Sequence, residues 1–206
     1  MKKFKILSVM LVVILACSLL PTAALALDDP AVGARSAILA DASTGEVYYA
    51  KNENAQAAPA SMTKMVTALM VSEAIDRGEI SLRDVVTASD DCQYNLDSDS
   101  TNADPTIVPG EEMTVEDLLY CAMLVSANEA CNILAEYVSG SVSAFVSAMN
   151  DRAAELGCTG THFTNANGLE DMNHYTTAAD FAILAREALR HPLVLQVCGA
   201  LTHEVP

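Results

Sequence analysis

Positive charge is what this chain has least of. Its 206 residues hold 11 lysines and arginines against 27 aspartates and glutamates, a formal net charge of −16. Three lysines, at positions 2, 3 and 5, fall in the first few residues. From residue 27 onward eight basic residues face all 27 acidic ones, a net charge of −19. A field of that sign repels phosphate backbones and anionic lipid, which argues against nucleic-acid binding and charge-driven membrane attachment. It admits a small or neutral-to-basic substrate. Metal-binding signals are missing too. No Cys-x-x-Cys pair or Cys/His cluster has ligand spacing, and His203-Glu204 lacks the second histidine of a zinc-protease helix. The acidic stretch Ser89 to Gly110 lacks the glycine and terminal glutamate of an EF-hand loop. No metal or other cofactor is expected. There is no Gly-x-Ser-x-Gly elbow, no internal repeat, and no apolar run of the ~20 residues that span a bilayer comfortably.

The longest apolar run, Ile6 to Leu20, follows the three lysines and precedes Pro21 and Ala24-Leu25-Ala26. This order predicts a secretory signal over residues 1–26, cleaved after Ala26, with residues 27–206 as the exported domain. Lipid attachment at Cys17 fits less well, because Leu15 is large for such a signal. Cys92, Cys121, Cys131, Cys158 and Cys198 remain after cleavage. An odd number cannot pair completely, and most lie among apolar residues in helical patterns. Buried thiols are predicted, with Cys121 and Cys131 as a candidate bridge.

Along the chain, Ser36 to Tyr49 reads as a β-hairpin turning at Asp41 to Gly45. Asn52 to Pro59 is a loop, and Ala60 to Asp76 a helix with Met62, Met65, Val66, Leu69 and Met70 in one apolar stripe. Gly78 closes it. Val85 to Ala88 is a short strand. Ser89 to Gly110, with Asp90, Asp91, Asp97, Asp99 and Asp104, reads as a solvated loop. Thr114 to Asp117 is a capping box ahead of a helix. Further helices run over Glu129 to Val138, from Ser141 to Gly157, and from Thr177 to His191-Pro192. A hairpin thus leads into a helical block, with no strand signal strong enough to complete a sheet.

Two polar constellations interrupt this pattern. Ser61 and Lys64, three apart at a helix start, bring a hydroxyl and an amine to one face with Cβ atoms about 5 to 6 Å apart. Desolvation and helix-end potential lower a lysine's pKa far enough to let it take a hydroxyl's proton. The bland alternative is an N-cap and a solvated charge. Ser126 and Asn128, between two helices, suit a proton relay and a hold on a substrate amide, or merely an inter-helix turn.

Taken together, Ser61-Met62-Thr63-Lys64 and, 65 residues later, Ser126-Ala127-Asn128, behind an export signal, resemble the serine D-alanyl-D-alanine carboxypeptidases, the low-molecular-mass penicillin-binding proteins. Ala55 to Ala60, Gly110-Glu111 with Thr114 to Leu119, Phe163 to Leu169, His174 and Ala179-Asp180 extend the likeness. The resemblance implies a β-lactamase/transpeptidase-like α/β (α+β) fold, a helical cluster packed on an antiparallel sheet. It also implies acyl transfer on peptidoglycan peptides ending in D-Ala-D-Ala and acylation by β-lactam antibiotics. Ser61 would be the nucleophile, Lys64 its base, Ser126 a proton relay and Asn128 a substrate-binding residue, while His174 braces a loop. The family's Lys-Thr-Gly motif is absent. The expectation is a chain cut short before that motif, with an incomplete sheet and without any C-terminal segment able to reach a membrane surface. A class A β-lactamase would carry Ser-Asp-Asn where Ala127 stands and a loop glutamate that is not found. A non-catalytic β-lactam- or cell-wall-binding protein is the further alternative.

Overall fold

The computed structural model describes residues 30–96, 100 and 103–205. The expected signal sequence, Cys17, Asp97 and Asp99 lie outside the described residues. Pro30 to Gly33 have no regular secondary structure, and a compact unit begins at Ala34.

The predicted hairpin is present as β1 (Ala37–Ala40) and β2 (Val47–Lys51), antiparallel with Leu39 opposite Tyr49 and a register shift after Leu39. Asp41 builds its turn. Its Oδ1 accepts from the backbone N–H groups of Ser43 (2.9 Å) and Thr44 (2.7 Å) and from both hydroxyls. These donors hold the Asp41 carboxylate at a pKa of about 2.

α1 (Thr63–Asp76), entered through a 3-10 turn at Ala60–Met62, differs from the expected amphipathic helix. It is buried almost all round, including every residue from Val66 to Ser72, whereas Met62 of the expected stripe is 51 % exposed. Five helices surround it: α2 (Val115–Leu124), α3 (Asn128–Ser139), α4 (Val142–Glu155), α5 (Ala178–Ala188) and α6 (Pro192–Gly199). A central helix must satisfy its polar groups internally. Thr67 Oγ1 donates to the Ala166 carbonyl (2.6 Å) and Ser72 Oγ to that of Ala68 (2.8 Å).

β3 (Val85–Thr87) pairs antiparallel with an unforeseen β4 (Glu112–Thr114), Val86 opposite Met113. Three residues are too few for a pattern of alternation to register. The capping box forms as read: Thr114 Oγ1 accepts from the Asp117 N–H (3.0 Å) and donates to the Asp117 carboxylate (2.6 Å). Ser141 and Thr177 cap α4 and α5 in the same way. Pro192 both stops α5 and starts α6, since a helix's first turn does not need the missing N–H.

The stretch 89–110 is more than a solvated excursion. Cys92 and Ile107 are buried, and the Asn132 amide on α3 donates to the carbonyls of Cys92 (3.2 Å) and Tyr94 (3.0 Å). Arg152 on α4 ties three helices together through Glu73 of α1 (2.8 Å) and Glu187 of α5 (2.9 Å). All five described cysteines are free thiols, so the candidate Cys121–Cys131 bridge is not formed; Cys92, Cys131 and Cys158 are buried and Cys198 is exposed. Among the described residues no helix is long and apolar enough to cross a membrane.

Candidate active site

Pro59 and a left-handed Ala60 (φ +49°) turn the chain into the 3-10 turn that carries Ser61. Ser61 is exposed, and one turn deeper Lys64 is only 2 % exposed. The hydroxyl and amine lie 3.2 Å apart. Lys64 Nζ also donates to the backbone carbonyl of Asn167 at 2.6 Å. Burial depresses the lysine's pKa from its ordinary value, while the ionisable Cys131 and Glu129 pull the other way. A lysine deprived of water in this way has access to its neutral form and can accept a proton from the hydroxyl beside it.

α2 ends at a three-residue link, Val125 to Ala127, that α3 immediately follows. Within it Ser126 takes φ +61°, a conformation a side chain tolerates only at a cost, and Ala127 N–H bonds the Cys121 carbonyl at 3.0 Å. That geometry turns Ser126 Oγ to donate to Ser61 Oγ at 3.2 Å. The three expected catalytic side chains therefore converge. Asn128, buried at the first turn of α3, sends its Nδ2 to the backbone carbonyl of Ser100.

The third wall is the loop Asn165 to Leu169. Asn165 Oδ1 gathers the N–H groups of Asn167 (3.3 Å) and Gly168 (2.7 Å), and Asn167 Oδ1 takes that of Leu169 (3.0 Å). These side-chain turns leave the Asn167 carbonyl free to meet Lys64. His174 braces the loop, as anticipated. Its Nδ1 accepts from the Thr164 N–H (3.0 Å), so the ring proton sits on Nε2 and is given to Thr63 Oγ1 (2.8 Å). Burial lowers its pKa to about 4, so the ring is neutral.

Several contributors escaped the sequence reading: the Asn167 carbonyl, Gly168, Asn132 and Glu129. Asparagine-glycine clustering at 165–168 is a signal for the first two, since side-chain turns of this kind shape a backbone locally; Asn132 and Glu129 on α3 carry no such local mark. A cavity of about 610 Å³ lies elsewhere, lined by Asp104, Ile107, Glu112, Tyr120, Val125 and His203 among others, and holds neither Ser61 nor Lys64. Chemistry rather than volume identifies the site. Glu73, Glu187 and His191 bring ligand atoms within 4.8 Å of one another, but the Arg152 guanidinium already bonds both carboxylates.

Residues 23–202 match the D-alanyl-D-alanine carboxypeptidase family. The chain is similar to D-alanyl-D-alanine carboxypeptidase DacF of Bacillus subtilis, 40 % identical over 166 residues that cover 81 % of this chain and 41 % of that protein. DacC of Escherichia coli is 34 % identical over 180 residues, covering 87 % of this chain and 42 % of its own length. Among solved structures, penicillin binding protein 6B from Escherichia coli superposes with a TM-score of 0.79 at 31 % identity, over 84 % of this chain and 56 % of that one. DacD from Francisella tularensis gives 0.75 at 32 %, over 81 % and 40 %. The fold is thus the α+β fold of these proteins. The chain spans about two fifths of the length of the curated relatives it matches.

Proposed function

The chain belongs to the D-alanyl-D-alanine carboxypeptidase family, and on that premise we propose that it is a serine-type D-Ala-D-Ala carboxypeptidase acting on peptidoglycan peptides. The observation that carries this is the convergence of Ser61, Lys64 and Ser126 within 3.2 Å steps. Ser61 Oγ attacks the carbonyl of the penultimate D-alanine as Lys64 Nζ takes its proton. Ser126 relays that proton to the departing nitrogen, free D-alanine leaves, and the acyl group stays on Ser61 as an ester. Water then hydrolyses the ester through the same base. The Ser61 N–H, ahead of α1, is one donor for the oxyanion. Asn128, whose Nδ2 is engaged, meets the substrate amide through Oδ1. β-Lactams, which present a strained amide, acylate the same hydroxyl.

This reading includes residues 1–26 as an export signal, residues 27–206 as part of the catalytic domain, and the cell envelope outside the cytoplasm as the place of work. The alternative reading is a protein that binds β-lactams or cell wall through the same Ser61 without turnover. Fluorescent penicillin followed by peptide mapping should place the adduct on Ser61 and lose it in Ser61→Ala. An adduct elsewhere overturns the assignment. Release of D-alanine from a D-Ala-D-Ala peptide separates the two readings.

A further inference from the structure

The first turn of α3 buries an acid for which the steps above have no use. Glu129 is 0 % exposed, and its Oε1 accepts from the Ala103 N–H at 3.2 Å. Its Oε2 is the one buried side-chain nitrogen or oxygen among the described residues with no hydrogen-bond partner. Burying a carboxylate so thinly solvated is costly, and such a group invites a functional account. The ionisable groups that feel it come from four neighbouring segments: Lys64 on α1, Cys121 on α2, Cys131 on α3 and Cys92 in the turn after β3. Burial pushes the three thiols up, Cys131 to about 12, so they are uncharged at neutral pH. That leaves Glu129 as the carboxyl within electrostatic reach of Lys64. The two side chains make no ion pair, for the Lys64 amine bonds Ser61 Oγ and the Asn167 carbonyl.

We propose that Glu129 is the buried counter-charge that lets the Lys64 amine take up a proton inside the core, a positioning residue for the Ser61–Lys64 pair. A base in a dry site faces two demands. It must have access to its neutral form, which burial favours, and it must become an ammonium during attack, which burial opposes. A carboxylate in direct contact would keep the lysine protonated at rest. One held a short way off, in low dielectric, steadies the ammonium without fixing it. The helix that begins at Asn128, just after Ser126, thereby also delivers the charge that adjusts the base.

The inference rests on the reading of Lys64 as that base, but its test does not need turnover. The chain has five lysines, and 13C-lysine labelling gives a Lys64 Cε signal assigned by its loss in Lys64→Arg. In Glu129→Gln the Lys64 titration midpoint should fall by about one unit, the usual scale for losing a nearby opposite charge. Glu129→Asp should restore it, and Cys131→Ala should leave it where it was. An unmoved midpoint in Glu129→Gln, or an equal fall in Cys131→Ala, overturns the proposal. Should Glu129→Gln fail to fold, the unsubstituted protein still decides. The Lys64 Cε and Glu129 Cδ signals each show the other's inflection if the charges are coupled, and titrate independently if they are not. Failure of penicillin labelling with a coupled titration would count against the enzymatic reading alone.

Discussion

Gly168 presses on the residue before Ser61: a Cβ built on it would lie 1.9 Å from the carbonyl oxygen of Ala60 and 2.9 Å from the Ser61 nitrogen. Its φ of +92° is one that side chains rarely adopt. The loop that supplies a carbonyl to Lys64 therefore also fixes the backbone of Ser61, and only hydrogen fits between them. Gly168→Ala should cost roughly 2 kcal/mol or more from strain and overpacking together. Penicillin acylation should fall about a hundredfold, since displacements near 1 Å have that effect. Gly78→Ala is the control: it has a φ of +70° but nothing within 4 Å, and should lose some stability and no acylation. Equal acylation by the two variants would refute the contact's role.

Lys64→Arg puts a permanent positive charge where the proposed proton acceptor stands, because guanidinium stays protonated. Stopped-flow acylation should slow by at least about 10², the lower end for loss of a general base. A near-unchanged rate would mean that another group deprotonates Ser61.

His174 makes the fold acid-sensitive. Its folded pKa of about 4 lies below the ordinary 6.5, so between those values the unfolded chain binds a proton that the folded chain does not. The stability from the neutral ring is therefore complete above about pH 6.5 and drains away as the pH falls towards 4, about 3 kcal/mol in all. Urea midpoints at pH 7 and pH 4.5 should differ less in His174→Gln than in the unsubstituted protein. Identical differences would show that the ring is not responsible.

Among the described residues Arg152 is the one cation bonded to both Glu73 and Glu187, whose side chains are 14 % and 21 % exposed; the exposed Arg190 reaches Glu187 alone. Arg152→Met keeps an apolar stem and leaves two half-buried carboxylates facing each other, at a cost of roughly 1 to 3 kcal/mol. Adding Glu187→Gln should recover part of that loss by removing the repulsion. Thermal unfolding of the single and double variants checks this, and additive losses would exclude the coupling.

How much of this was legible beforehand depended on how local the cause was. The turn at Asp41, the caps at Thr114, Ser141 and Thr177, and the pairing of Ser61 with Lys64 each rest on contacts within a few residues, which a short window of sequence contains. The spacing of Ser126 from Ser61 became meaningful through the family resemblance. β4 and α6 were missed because three residues carry little periodicity and because Pro192 was read only as a stop.

The sequence by itself determined the charge, the capped helix starts at Thr114, Ser141 and Thr177, and the candidate reacting groups, since those follow from composition and neighbouring residues. Only the tertiary structure decided that α1 is enclosed on all sides, and with that the state of Lys64. A lysine's basicity depends on how much water surrounds it, and what displaces the water comes from residues 103 positions away at Asn167 and from the far ends of other helices. The same holds for Glu129. Its neighbours Asn128 and Ala130 say nothing of Lys64, and packing of α3 against α1 is what brings the two charges into one dry interior.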